Sequence, residues 1–160
     1  MIVLNLPNEA ATARLAARLA RVAAAGDVIA LKGDLGAGKT TFARAFIRAR
    51  GRSREPVPSP TFTLVQLYPA AEVTIWHIDL YRLRQPEEAW ELGIEEAFRD
   101  GIALIEWPER LAALLPREHL ELALAPGDAP EARRAMLSAS PGWQERLAEL
   151  ADMLEDEAAR

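Results

Sequence analysis

Val28-Ile-Ala-Leu-Lys-Gly-Asp-Leu-Gly-Ala-Gly-Lys-Thr-Thr41 decides how this chain is read. Val28 to Leu31 is an apolar run of the length expected for a buried strand, and the run is broken at Gly33. From Gly33 the pattern G-x-x-x-x-G-K-T runs complete through Gly36, Gly38, Lys39 and Thr40. Thr41 to Arg50 then places Phe42, Ala45, Phe46 and Ala49 on one stripe, which is helical spacing. Strand, glycine loop and helix in this order form the frame of a phosphate-binding loop.

The residue types explain the chemistry. Glycines let the backbone turn tightly and present successive N–H groups to phosphate oxygens with no Cβ in the way. The helix starting there points its positive end at the same anion. Lys39 adds a mobile charge for the β and γ phosphates. The Thr40 hydroxyl suits a Mg²⁺ ion that keeps most of its waters. Gly33, Asp34, Leu35, Gly36, Ala37, Gly38, Lys39, Thr40 and Thr41 are therefore the expected binding set for a nucleoside triphosphate, with Mg²⁺ beside it.

At 160 residues the chain has the length of one domain, and half of its residues are hydrophobic. It has no cysteine, so disulfides and thiolate metal sites are excluded; this does no more than fit the cytoplasmic location expected here. No apolar run approaches a membrane span. Glu9 and Asp27 argue against reading the Arg- and Ala-rich start as a transit peptide. The net charge of -5 provides no general attraction to nucleic acid.

Hydrophobic period and breakers mark out the rest. Met1 to Leu6 reads as an edge strand. Asn8 caps a helix from Glu9 to about Ala25, stopped by Gly26. Gly51 to Ser59, with Arg50, Arg52, Arg54 and spaced prolines, reads as an exposed stiff loop. Its arginines, with Arg44 and Arg48, form either a basic patch or a solvated turn. Thr61–Tyr68 and Val73–Leu80 read as a hairpin around residues 69–72. Helical segments follow at Pro86–Leu92 and Ile94–Arg99, then a strand at Ile102–Glu106 and a short helix at Pro108–Leu114. A second hairpin, Leu120–Ala125 with Arg133–Ala139, leads into an amphipathic helix from Pro141 to about Glu157. The expectation is a single α/β domain with the P-loop NTPase fold. Its mixed sheet is parallel around the phosphate loop, with antiparallel hairpins and helices on both faces.

A triphosphate site needs an acid to hold or orient the metal. Glu106 ends a buried strand where a parallel neighbour of the loop strand would emerge, although a solvent-facing glutamate is the simpler alternative. Asp79 also ends an apolar strand and could position water or cap the following turn. His77, two residues earlier on the same face, reads as packing. Trp107 either walls the site or is a core aromatic. Thr61 is a candidate γ-phosphate sensor. Arg82 is either a charge stabiliser or half of a surface pair.

Taken together, several segments resemble the bacterial TsaE family (formerly YjeE), small P-loop ATPases of tRNA threonylcarbamoyladenosine synthesis. They are Gly33-Asp-Leu-Gly-Ala-Gly-Lys-Thr-Thr-Phe-Ala-Arg, Ser59-Pro-Thr-Phe-Thr-Leu-Val, His77-Ile-Asp-Leu-Tyr-Arg-Leu, the Glu88-x-x-x-x-Gly93-Ile run and Leu104-Ile-Glu-Trp-Pro-Glu. The resemblance implies ATP and Mg²⁺ as cofactors of an accessory, slowly hydrolysing ATPase that binds TsaD, the transferase, and TsaB, with tRNA met through that complex. It implies that Lys39 holds the phosphates and that Thr40 and Glu106 ligate Mg²⁺. Thr61 would belong to a switch-like loop, Asp79 to the catalytic or nucleotide-sensing set, and Trp107 to the wall of the site. A small-molecule kinase is the alternative, weakened because the stretch after Glu106 does not look like an arginine-bearing lid. A nucleotide-gated binding module shades into the family reading. A GTPase is disfavoured, since Asn-Lys-x-Asp and Asp-x-x-Gly are both missing.

Overall fold

The computed structural model describes residues 1–51 and 64–158. In order these form β1 (Ile2–Leu6), α1 (Glu9–Val22), β2 (Val28–Lys32), α2 (Lys39–Gly51), β3 (Val65–Ala70), β4 (Val73–Asp79), α3 (Ile94–Asp100), β5 (Ile102–Glu106), β6 (Leu120–Pro126), β7 (Arg133–Ala139) and α4 (Pro141–Ala158). The strands make one seven-stranded sheet in the order β1-β7-β6-β2-β5-β4-β3. β6, β2, β5 and β4 run parallel, and β1, β7 and β3 add antiparallel edges. This is the mixed α/β fold expected from the sequence, with the loop strand β2 at its centre.

Successive side chains on a strand point to opposite faces, so each buried strand serves two cores. Ile102 and Leu104 of β5, with Ile29, Leu31 and Ile75, pack under Leu15, Leu19, Phe42, Phe46, Trp143 and Leu147 of α1, α2 and α4. Ala103 and Ile105, with Val28 and Ile78, pack under Ala89, Ile94, Ala97 and Leu111 on the other side. By the same alternation Glu106, His77 and Asp79 belong to the α2 face. The polar residues of interest thus share a side of the sheet with the helix that begins at Lys39.

Several boundaries differ from expectation for local reasons. Asn8 does cap α1, its Oδ1 accepting from the Ala11 N–H at 2.9 Å. The helix stops at Val22 rather than near Ala25. Arg50 donates to the carbonyls of Ala20 and Ala23, and Arg146 to that of Val22, so side chains satisfy the last turn. Pro69 lies inside β3, paired with Thr74, because β3 is an edge strand and the missing N–H faces no neighbour. Pro86–Leu92 and Pro108–Leu114 are 3₁₀ rather than α-helical, the tighter form used for short connectors. The first ends at Gly93 in the left-handed region (φ 81°), and the second is kinked at Ala112. The expected Arg- and Pro-rich loop beyond Gly51 and the start of the Thr61 strand lie outside the described residues.

Candidate functional site

β2 delivers the chain to Gly33 at the carboxyl end of the parallel strands, and α2 leaves it at Lys39. Gly33 has φ +145°, and a Cβ there would lie 2.6 Å from the Leu124 carbonyl oxygen of β6, so only glycine lets the loop leave the sheet here. The loop turns back on itself through the Ala37 N–H, which donates to the Asp34 carbonyl at 3.1 Å. The first helical bond of α2 runs from the Phe42 N–H to the Gly38 carbonyl at 2.9 Å. The N–H groups of Lys39, Thr40 and Thr41 precede it and have no partner within the helix. They and the positive helix end face the hollow above the loop.

That hollow is about 230 Å³, lined by Leu35 to Thr41 with Asp79, Tyr81, Glu106, Trp107 and Arg133. Glu106 sits beside the loop because β5 pairs in parallel with β2, Glu106 opposite Leu31. Asp79 comes next because β4 pairs with β5, Asp79 opposite Glu106. The Thr40 hydroxyl donates to Glu106 Oε1 at 2.9 Å, and His77 Nε2 donates to Glu106 Oε2 at 2.7 Å. Asp79 Oδ1 accepts from the Tyr81 N–H at 3.0 Å. Among the described residues the buried polar side chains are Thr12, Lys39, His77, Asp79 and Glu106. Burying such groups is costly, and here the cost is concentrated at one place: Lys39, Asp79 and Glu106 line this hollow, His77 stands behind Glu106, and Thr12 lines the hollow beside it.

Lys39 Nζ donates to the carbonyls of Gly33 and Asp34 and lies 4.0 Å from the centre of the Trp107 ring. Burial pushes the Lys39 ammonium below the ordinary lysine pKa, while the charges of Glu106, Asp79, Glu109 and Asp34 pull it back up. Trp107 is held with left-handed backbone angles, φ 61° and ψ 51°, and its ring meets Tyr81 with centroids 5.1 Å apart. A non-glycine residue in that region is strained, and here the strain turns the indole toward the lysine.

The expected residues separate into three groups. Leu35 to Thr41, Asp79, Glu106 and Trp107 line one hollow. Gly33 and Asp34 lie behind it and accept from Lys39. Thr61 lies outside the described residues, and Arg82 is exposed and does not line the hollow. His77 does more than pack: it is completely buried and bonds directly to Glu106. The period-2 pattern put it on the Asp79 face, but its partner comes from the next strand, which pattern alone does not locate.

Arg133, at the start of β7, carries no mark in the sequence beyond its place in a strand. Its guanidinium donates to the loop carbonyls of Ala37 at 3.1 Å and Gly36 at 3.2 Å, and to Pro130 and Ala132 at 2.8 Å. No local signal joins it to a loop so distant in sequence. It borders a second hollow of about 110 Å³ that shares Gly38 and Thr41 with the first and reaches Glu9, Thr12 and Glu131.

The donor chemistry fits a hard divalent cation held partly by a ligand. One carboxylate oxygen and one hydroxyl meet at the loop, and Mg²⁺ takes such oxygens while keeping waters and phosphate oxygens in its shell. No group of three or more His, Cys, Asp and Glu side chains suited to an all-protein metal cage occurs among the described residues.

Residues 6–135 match the family described as threonylcarbamoyl adenosine biosynthesis protein TsaE. A relative named tRNA threonylcarbamoyladenosine biosynthesis protein TsaE, from Rickettsia felis, is 45% identical over 124 residues, or 78% of this chain and 71% of the relative. A protein of the same name from Bacillus subtilis is 39% identical over 118 residues, 73% of each chain. The crystal structure of Bacillus subtilis YdiB matches with a TM-score of 0.76 at 29% identity, over 96% of this chain and 95% of that one.

Proposed function

The chain belongs to the TsaE family of threonylcarbamoyl adenosine biosynthesis proteins, and from that premise we propose that it is a Mg²⁺-dependent, slowly hydrolysing ATPase acting with TsaD and TsaB. In this reading it supports turnover of the complex that modifies adenosine 37 of tRNAs reading codons that begin with A. It is not itself the threonylcarbamoyltransferase, and tRNA meets it through the complex. Its work is placed in the cytoplasm. No helix among the described residues is long and apolar enough to cross a membrane.

The observation that carries the nucleotide reading is the meeting of Thr40 and Glu106 at 2.9 Å, directly beside the buried Lys39. In this reading Gly36, Gly38 and the first-turn amides of α2 receive phosphate oxygens. Lys39 turns from the Gly33 and Asp34 carbonyls toward the β and γ phosphates. Thr40 and Glu106 hold Mg²⁺, which would offset charge on those phosphates. Asp79, level with Glu106 on the next strand, orients water on the same rim. Trp107 closes the wall above Lys39. The nucleoside follows the second hollow, past Thr41 and Arg133 toward Thr12. Arg133, which alone among the arginines of the described residues lines the hollow, is engaged on loop carbonyls, and the isolated chain is expected to hydrolyse slowly.

The test is steady-state ATP hydrolysis by the pure chain, with and without an added TsaB–TsaD complex. A slow basal rate that changes on addition supports the reading. A rate indifferent to the complex counts against partner coupling, and fast phosphoryl transfer to a small acceptor would replace it with a kinase.

A further inference from the structure

We propose that His77 is a positioning residue for the divalent cation of this site, acting through its hydrogen bond to Glu106. The proposal rests on the Mg²⁺–nucleotide reading above. His77 does not line the hollow and is completely buried, so it reaches neither nucleotide nor metal. Its place in the sheet defines what it can reach. It lies on β4 opposite Leu104, one step below the level of Glu106, and its side chain shares the α2 face. From there Nε2 donates to Glu106 Oε2 at 2.7 Å.

Two features argue for a role beyond filling space. Nδ1 of His77 is buried with no hydrogen-bond partner among the described residues. An apolar side chain of similar size would sit on the α2 face with Ile75 and Leu104 without leaving that nitrogen unsatisfied, so the bond to Glu106 is what the imidazole offers in return. The second feature concerns what happens at Glu106 when a cation arrives. Glu106 Oε1 accepts from Thr40, and the same two oxygens are the ones a shared Mg²⁺ would take. Once both turn to a cation, their mutual bond is gone. The bond that still fixes the carboxylate is the one from His77. Without it, a long side chain at a strand end would be free to swing Oε1 away from Thr40. Bonds of this kind behind a ligating carboxylate commonly tune metal affinity.

The test compares three variants of the full chain, His77→Leu, His77→Asn and His77→Gln. The amide nitrogen of glutamine reaches about as far as Nε2, whereas that of asparagine falls short. Binding of a non-hydrolysable ATP analogue is measured in chelator. Mn²⁺ affinity of the nucleotide-bound chain is then measured from the free-ion spin-resonance signal, with thermal midpoints as a check on folding. The expected result is metal-free nucleotide affinity within about twofold of wild type, and Mn²⁺ affinity about ten-fold weaker in His77→Leu and His77→Asn. His77→Gln restores it to within roughly threefold. If His77→Leu does not fold, the glutamine–asparagine pair decides, since both put an amide on the same stem and differ in whether it reaches Glu106. Equal Mn²⁺ affinity in all variants overturns the proposal, as does a parallel fall in metal-free nucleotide affinity. A wild-type chain that binds no nucleotide either in chelator or with Mn²⁺ present overturns the underlying reading itself, and is told apart by that step.

Discussion

Replacing Arg133 with methionine removes the donors that hold the phosphate loop from behind while keeping most of the apolar stem. Two of its four hydrogen bonds go to the loop itself, at Ala37 and Gly36, across 3.1 and 3.2 Å. A net hydrogen bond contributes about 1 kcal/mol, and more when the donor is charged. Arg133 is half-buried and the freed carbonyls can be rehydrated, so about 1.5 kcal/mol for the pair is reasonable. If that energy keeps the loop in its phosphate-ready shape, the variant binds nucleotide about ten-fold more weakly, since 1.4 kcal/mol is a factor of ten. The assay is equilibrium titration with a fluorescent ATP analogue, paired with thermal unfolding. Because the remaining bonds tie Arg133 only to its own turn, the unfolding midpoint should fall by no more than about 4 °C. Unchanged nucleotide affinity would refute the view that this arginine shapes the loop. A large loss of stability would instead make it an ordinary structural residue.

Lys39→Ala should weaken ATP binding by roughly 30- to 150-fold, the cost of about 2–3 kcal/mol from charge-assisted bonds, read in the same titration. The lowered Lys39 pKa sets a pH window. On the proposed reading the ammonium is what would bind phosphate, so affinity should fall as pH rises through a point below the usual lysine value, and Lys39→Arg should flatten that fall. The contribution to stability of the free chain has the opposite sign. Between the lowered pKa and the ordinary one the unfolded chain holds the extra proton, so chemical denaturation should show stability rising with pH there. Glu106→Gln should cut Mg²⁺-dependent turnover at least ten-fold while Asp79→Ala leaves metal affinity near wild type; the reverse pattern would move the metal assignment to Asp79. Gly33→Ala brings a Cβ to 2.6 Å from Leu124 O and 3.0 Å from the Ala37 Cβ, and should lower stability by about 2 kcal/mol, or roughly 6 °C in the unfolding midpoint.

What the sequence disclosed was set by the range of the interactions involved. The loop and its two flanking elements were legible because strand, glycines, lysine and helix are contiguous; the strand runs one residue past Leu31, to Lys32, and the helix begins two residues before Thr41, at Lys39, and ends at Gly51. Glu106 was legible one step further out, because a carboxylate at the end of an apolar strand can only emerge at the rim of a parallel sheet. The 3₁₀ form of Pro86–Leu92 was not, since apolar spacing over seven residues does not separate 3₁₀ from α winding. Arg133 and the second role of His77 were hidden for another reason. Each depends on which strands are neighbours, and the order β6-β2-β5-β4 is a tertiary fact that no window of sequence contains. The same order makes the site, since it brings residues from both halves of the chain to one rim.

That rim also has a charge balance that bears on the cofactor. Lys39 shares the hollow with two carboxylates, Glu106 and Asp79, and all three are buried. A bare polyphosphate entering here would gain one ammonium and the helix end but face two fixed negative charges. At about 4 Å and an effective dielectric near 20, each unit pair is of order 4 kcal/mol, so the repulsion is comparable to everything the loop supplies. A phosphate site lined this way works if a divalent cation enters with the anion and sits against the carboxylates. On the proposed reading Thr40 and Glu106, the latter held by His77, would offer one oxygen pair to such an ion. Covering the hollow with a partner would lower the local dielectric and strengthen each of these interactions, which is a physical route by which complex formation could change the rate of hydrolysis. If that route operates, the stimulation by TsaB–TsaD should shrink in Glu106→Gln, because the charge pairing on which the dielectric acts has been removed. Equal fold-stimulation in the wild type and that variant would separate partner coupling from the electrostatics of this rim.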